Sequence, residues 1–271
     1  MPFTGSHPAA ILPLLRTPLP ASALVIGSMA PDIPYYVPYV SGPTHSALGI
    51  VSIDLLLGLA AWLLWHGVLT APALAAAPAY VRQRLVPQVR TGLSSRIGGL
   101  QLGLVLLGLV IGSATHVGWD AFTHAGRFGP AHLAILAERW HGLPGWHSAQ
   151  YASTVLGGVT LLLWLVRWFR GAPVAPVHTV AGAGAGAGAW DWARRPSWVW
   201  PALLMVAALV GGIAAATSPS LRAAAFRGAT HGAAAALALG LILAVSWHAA
   251  RARRSPARRA PDHDRRLHHV R

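Results

Sequence analysis

Apolar residues run along this chain in long blocks, separated by short stretches rich in Arg, Gly, Pro and His. A helix crosses the ~30 Å hydrocarbon core of a bilayer with about 20 predominantly apolar residues. Five blocks come close to that length: Ser46–Trp65, Ile97–Thr115, Ser153–Phe169, Trp198–Thr217 and Ala229–Trp247. They predict an all-α fold, a polytopic helical membrane protein with about five transmembrane helices. A further stretch, Ala9–Ala30, is apolar but broken by Pro13, Arg16, Pro18 and Pro20. It reads as an interfacial or re-entrant segment, with a sixth span as the alternative. Four regions follow. Residues 1–170 form a membrane domain with the first three spans, and 171–197 a linker built on the Ala-Gly alternation Ala181–Ala189. Residues 198–250 carry two further spans. The Arg-rich tail 251–271 reads as disordered or resting on anionic lipid.

Composition agrees with this class. Hydrophobic residues make up 54% of the chain and charged residues only 10%, where a soluble domain carries about a quarter charged. The formal charge of +14 first suggests nucleic acid. Its distribution excludes that partner, because the 21 basic residues are all Arg and mostly flank apolar blocks or crowd the tail. Sixteen of them fall in the loops after spans one and three and in the tail, whereas Arg16, Arg127, Arg139, Arg222 and Arg227 fall on the other side. Basic residues favour the cytoplasm, so the N-terminus is expected outside and the C-terminus inside. Met1–Ala10 has no basic start and does not read as a secretory signal. The absence of cysteine excludes thiolate metal sites and disulfides.

The polar residues then become informative. His116, Asp120 and His124 recur every four residues at the outer end of span two. If that span continues as a helix, the three share one face and rise roughly 6 Å per step. A His and a carboxylate at that spacing can hold one divalent ion. His124 is then too far along to reach the same ion as His116, unless Asp120 bridges two ions. Imidazole nitrogen with carboxylate oxygen suits zinc and its neighbours. The plain alternative is three polar side chains lining a helix exit. Segments 1–45 and 116–152, both expected outside, also hold His7, Asp32, His45, His132, His141 and His147. That concentration favours one shared site at the outer face. Asp54 falls eight residues inside span one as drawn, roughly 12 Å below its outer end. A carboxyl at that depth is either functional or a protonated group bonded to a neighbour such as Gln101 or Ser113. Tyr35, Tyr36 and Tyr39 read as interfacial anchors, and Gly99, Gly103 and Gly108 as close helix contacts.

The opening Met1–Ala10 (MPFTGSHPAA), the run Gly27–Asp32 (GSMAPD), Thr44-His45-Ser46 and His116-x-x-x-Asp120 resemble a bacterial membrane family catalogued as a domain of unknown function (DUF4184). That resemblance covers roughly residues 1–250 and implies no activity. A weaker one is to membrane-bound metal-dependent hydrolases and, further off, to zinc-dependent phospholipase C and P1-type nucleases. It implies ligands in the order His7, Asp32, His45, His116 with Asp120, His124, His147. Tyr151 stands where those enzymes carry a final Glu, and their processed N-terminal ligand is not evident. The resemblance implies a metal-dependent hydrolase at the outer face of a bacterial cell membrane, acting on phosphate esters of lipids, with zinc at the site and Asp120 as its central carboxylate. Arg127 or Arg139 would hold a phosphate oxygen. Two other functions stay open: a non-catalytic membrane protein whose His and Asp are structural, and a cation- or proton-coupled transporter using Asp54.

Overall fold

The computed structural model describes residues 4–37, 40–87, 93, 97–140, 142–175 and 198–253. The Ala181–Ala189 linker, the tail beyond 253, His141 and Tyr39 lie outside the described residues. Among the described residues, five helices are long and apolar enough to cross a membrane: Ile53–Ala76, Gly99–Thr123, Gly145–Gly171, Val199–Ala216 and Leu221–Arg253. They are spans one to five below. Among the described residues the fold is helical apart from one short hairpin, Arg139–Trp140 against Leu143–Pro144.

The boundaries differ from the sequence expectation in a way that matters. Span one starts at Ile53 rather than Ser46, because Ala47–Val51 is a separate short helix and the backbone breaks at Ser52 (φ −123°, ψ −96°). Ser46 caps that short helix by accepting from the Gly49 amide at 2.9 Å. Asp54 therefore sits in the first turn of span one and not about 12 Å down it. Span two runs on to Thr123. His116 and Asp120 are helical as a result, and His124, with extended backbone, lies just past the helix end. Span one is irregular in its second half, where a π-helical turn covers Trp65–Leu69.

The N-terminal segment is re-entrant. A 3-10 helix, Thr4–Arg16, leads to a short turn, and the α-helix Ala21–Gly27 comes back. At the start of this loop His7 touches Asp120; at its far side Ser22 takes a hydrogen bond from Trp62 and meets His66, deep in span one; at its return the Ser28 carbonyl meets His116. Both ends of the loop thus lie at the same end of the bundle. Such backbone is tolerated at membrane depth only when protein covers it, and here Ile11, Ala23 and Leu24 are fully buried.

Small residues let the returning helix press into span two. A Cβ on Gly27 would stand 2.4 Å from the Leu109 carbonyl oxygen, and one on Gly112 would stand 2.3 Å from that of Leu24. Backbone touches backbone at this crossing, as small-residue interfaces in membranes allow. Of the glycines expected to make close contacts, Gly108 does, against Ala23; Gly99 and Gly103 face open space. Spans four and five form a hairpin that rejoins the rest at both ends. Trp200 donates to the Ala76 carbonyl at one end, and Phe226 meets Tyr35 edge-on at the other.

Candidate metal centre

Five of the residues singled out in the sequence converge at one end of the bundle. His7 comes from the 3-10 helix, Asp32 from the turn Ala30–Asp32, His45 from the loop before span one, and His116 with Asp120 from span two. All five are buried, none more than 8% exposed. His45 is held with φ +61°, a left-handed conformation that a non-glycine residue rarely adopts. Arg127 helps hold it there, donating from Nη1 to the His45 carbonyl at 2.9 Å.

Asp120 occupies the centre. Its Oδ1 lies 3.2 Å from His7 Nε2 and 3.3 Å from His124 Nδ1, and its Oδ2 lies 3.5 Å from His45 Nε2 and 3.4 Å from His116 Nε2. Asp32 Oδ1 lies 3.1 Å from His45 Nε2 and 3.5 Å from His116 Nε2, which are themselves 3.3 Å apart. Ligands at ~2.1 Å around a tetrahedral ion are separated by about 3.4 Å. The Nε2 atoms of His45 and His116 therefore already stand at ligand spacing from each other and from both carboxylates. Two triads, Asp32–His45–His116 and His7–His116–Asp120, each have their donor atoms within 4.8 Å of one another.

Proton accounting sharpens the picture. His116 Nδ1 lies 2.8 Å from the Ser28 carbonyl, which can only accept, so Nδ1 carries the hydrogen. Nε2 then points at two carboxylate oxygens and at a second imidazole nitrogen. Acceptors do not face acceptors in a buried site unless a proton or a cation lies between them. A backbone carbonyl fixing the remote ring nitrogen is also how metal-binding His residues are oriented. His45 Nδ1 lies 3.0 Å from Thr44 Oγ1, a hydroxyl that can donate or accept. The donor set fits a divalent ion such as zinc.

Around it lies a supporting layer. Thr4 donates to Asp32 Oδ2 at 2.5 Å, and the Tyr36 hydroxyl donates to Thr4 at 2.9 Å. Burial pushes the Asp32 carboxyl up, but hydrogen bonds from His116, His45 and Thr4 outweigh it and hold the group well below the usual carboxylate range. Burial pushes the His124 imidazole down against the opposing charge of Asp120, which keeps it neutral and able to ligate. Asp54 takes its bond from Ser113 at 3.2 Å, rather than from Gln101.

This architecture is matched as a whole by one family description. The chain belongs to the family described as Domain of unknown function (DUF4184). The match spans residues 1–250, so it takes in the re-entrant loop, the cluster and spans four and five together. No curated protein and no solved structure matches the chain.

Two expected residues stand apart. His147, in the first turn of span three, belongs to neither triad; its ring lies stacked on Trp146 and on Tyr151. His132 bonds back to the Phe128 carbonyl on the exposed helix Phe128–His132. Of the two proposed phosphate-holding residues, Arg127 supports His45 and Arg139 donates to the Gly142 carbonyl. Thr4, Ser28 and Gln150 were not singled out by sequence. Gln150 is only 1% exposed, with its amide 3.4 Å from His124 Nε2. Its place between His147 and Tyr151, five residues after the helix start at Gly145, was the one available hint, and it reads as the residue beside a missing carboxylate.

Proposed function

We propose that this chain is a metal-dependent hydrolase, acting on phosphate esters of lipids at the outer face of a bacterial cell membrane, with zinc at the His/Asp cluster. The observation that carries the reading is the inward-facing Nε2 of His116, whose other nitrogen is committed to Ser28. A divalent ion held there supplies positive charge against phosphoryl oxygens and an acidified water at neutral pH. The chain's own residues do the rest. Asp120 offers one oxygen to the His7–His124 side and the other to the His45–His116 side, which suits a carboxylate shared between two ions. Asp32 stays charged and Thr4 fixes its orientation. Tyr35 stands beside the cluster, its ring 6.2 Å from that of His45. Burial, then the charges of Asp32 and Asp120, push its phenol above the ordinary value, so it remains a hydrogen donor for a substrate oxygen. The outer-face placement rests on the Arg asymmetry.

A non-catalytic network is the second reading, favoured by Tyr151 at the position where the resembling hydrolases carry Glu. The transporter reading loses its mid-membrane carboxyl, since Asp54 lies in the first turn of span one. Metal analysis of protein purified without chelators separates the two main readings. One to two zinc-like ions per chain are expected; a protein that carries none has a structural network and no hydrolytic centre.

A further inference from the structure

A cleft adjoins the cluster at Asp32. With a volume of about 490 Å³, it runs from Asp32, Tyr35 and Tyr36 across the start of span three to the first turns of span five. Asp32 belongs to both places: Oδ1 faces the cluster, and the residue lines the cleft. The far wall is span five. It presents Leu221, Ala225, Phe226 and Ala229 as an apolar stripe at helical spacing, with Arg222 beside them. Tyr35 closes the contact between the walls, with its ring 5.6 Å from Phe226.

Among the described residues, Arg222 is the one cationic side chain lining this cleft. It is exposed, and it makes no hydrogen bond or ion pair among the described residues. Span five is 33 residues long, roughly 50 Å, well beyond the hydrocarbon core. A helix of that length extends past the core, and Arg222 lies in its first turn. A guanidinium binds a phosphate bidentately and keeps its charge at any relevant pH. On the opposite wall the charged group is the carboxylate of Asp32, which repels an anion unless a cation at the cluster offsets it.

We propose that Arg222 is the phosphate-holding residue of a substrate cleft, which takes an amphipathic phosphate ester with its head group between Arg222 and the cluster and its chain along Phe226 and Ala229. This deepens the hydrolase reading and rests on it. It also gives spans four and five, plain membrane helices by sequence, a place in the site. The shared ligand chemistry is a phosphate anion, from a lipid or from free solution.

The test uses the full chain in dodecyl maltoside micelles, with metal content measured on each sample. Three probes are titrated calorimetrically: octylphosphonate, which joins anion and chain through an unhydrolysable P–C bond, inorganic phosphate, and 1-octanol. Octylphosphonate should bind at least tenfold more tightly than either partial probe. Arg222→Gln should weaken it tenfold or more and leave octanol uptake unchanged, Arg222→Lys should recover much of the loss, and Phe226→Ala should weaken octylphosphonate but not phosphate. Metal content should be the same in all of them, because Arg222 is no ligand. Wild-type affinity in Arg222→Gln at full metal content overturns the assignment, whereas equal affinity for phosphate and octylphosphonate overturns the lipid source. A metal-free wild type that shows the same Arg222 dependence upholds the cleft and defeats the hydrolase reading alone.

Discussion

Asp120 is the residue on which the most geometry depends, since four imidazole nitrogens lie within 3.5 Å of its two oxygens. Asp120→Asn keeps the shape and removes the charge, and an amide nitrogen would replace one of the two oxygens. Bound metal measured by mass spectrometry should fall to a small fraction of wild type, and any phosphoesterase activity with it. His147→Ala should leave metal content unchanged, because His147 stands in neither donor triad; a loss equal to that in Asp120→Asn would mean that the triads have been misassigned. Asp54→Asn should also retain metal. An amide there can still accept from Ser113, and a thermal melt in detergent should show no more than a modest shift.

At the level of elements, the site depends on a crossing that contains no chemistry. The returning helix Ala21–Gly27 delivers the Ser28 carbonyl to His116, and it can do so because Gly27 and Gly112 let two backbones meet. Gly112→Ala places a methyl 2.3 Å from the Leu24 carbonyl oxygen, a backbone atom that cannot swing aside. Overpacking of this kind costs about 1–3 kcal/mol. The melting temperature should drop, and metal content should drop with it, since parting the helices withdraws Ser28. Gly103→Ala, on the open part of the same span, is the control and should do neither. These elements were unevenly legible in the sequence. The existence of all five spans followed from apolar length alone, because a bilayer sets one length for every crossing. Their ends did not, because hydropathy falls at Ser46 and at His116 for different reasons. At the first, the chain breaks at Ser52 and the helix starts late; at the second, polar residues continue the helix and are buried by the re-entrant loop. Asp54 changed meaning with the first boundary, and His124 left the helix at the second.

For the whole molecule, the arrangement is a helical bundle with the His/Asp cluster at one end, beside the cleft against span five. The Arg asymmetry predicts that this end faces outward. Reporter fusions after Arg96 and after Arg254 should report cytoplasm, and one after Pro144 should report the exterior. In right-side-out vesicles a membrane-impermeant chelator should then strip the metal, and in inverted vesicles it should not. Metal lost only from inverted vesicles would place the site on the cytoplasmic side and exclude an outer-leaflet substrate.

The sequence by itself determined the class, the number of spans, the family and the residue types of the site. Each of these is written locally: apolar run length, the motifs of the first 46 residues, and the His-x-x-x-Asp spacing on one helix face. Only the tertiary structure decided which His residues meet. His7 and His45 reach Asp120, and Asp32 reaches His45 and His116, from separate segments, across as many as 113 positions of chain. No periodicity records that distance; it is closed by the re-entrant loop and the glycine crossing that packs it. The same holds for Arg222, which is one interfacial Arg among several in the sequence and becomes a candidate ligand-binding residue only where span five folds back beside Tyr35 and Asp32.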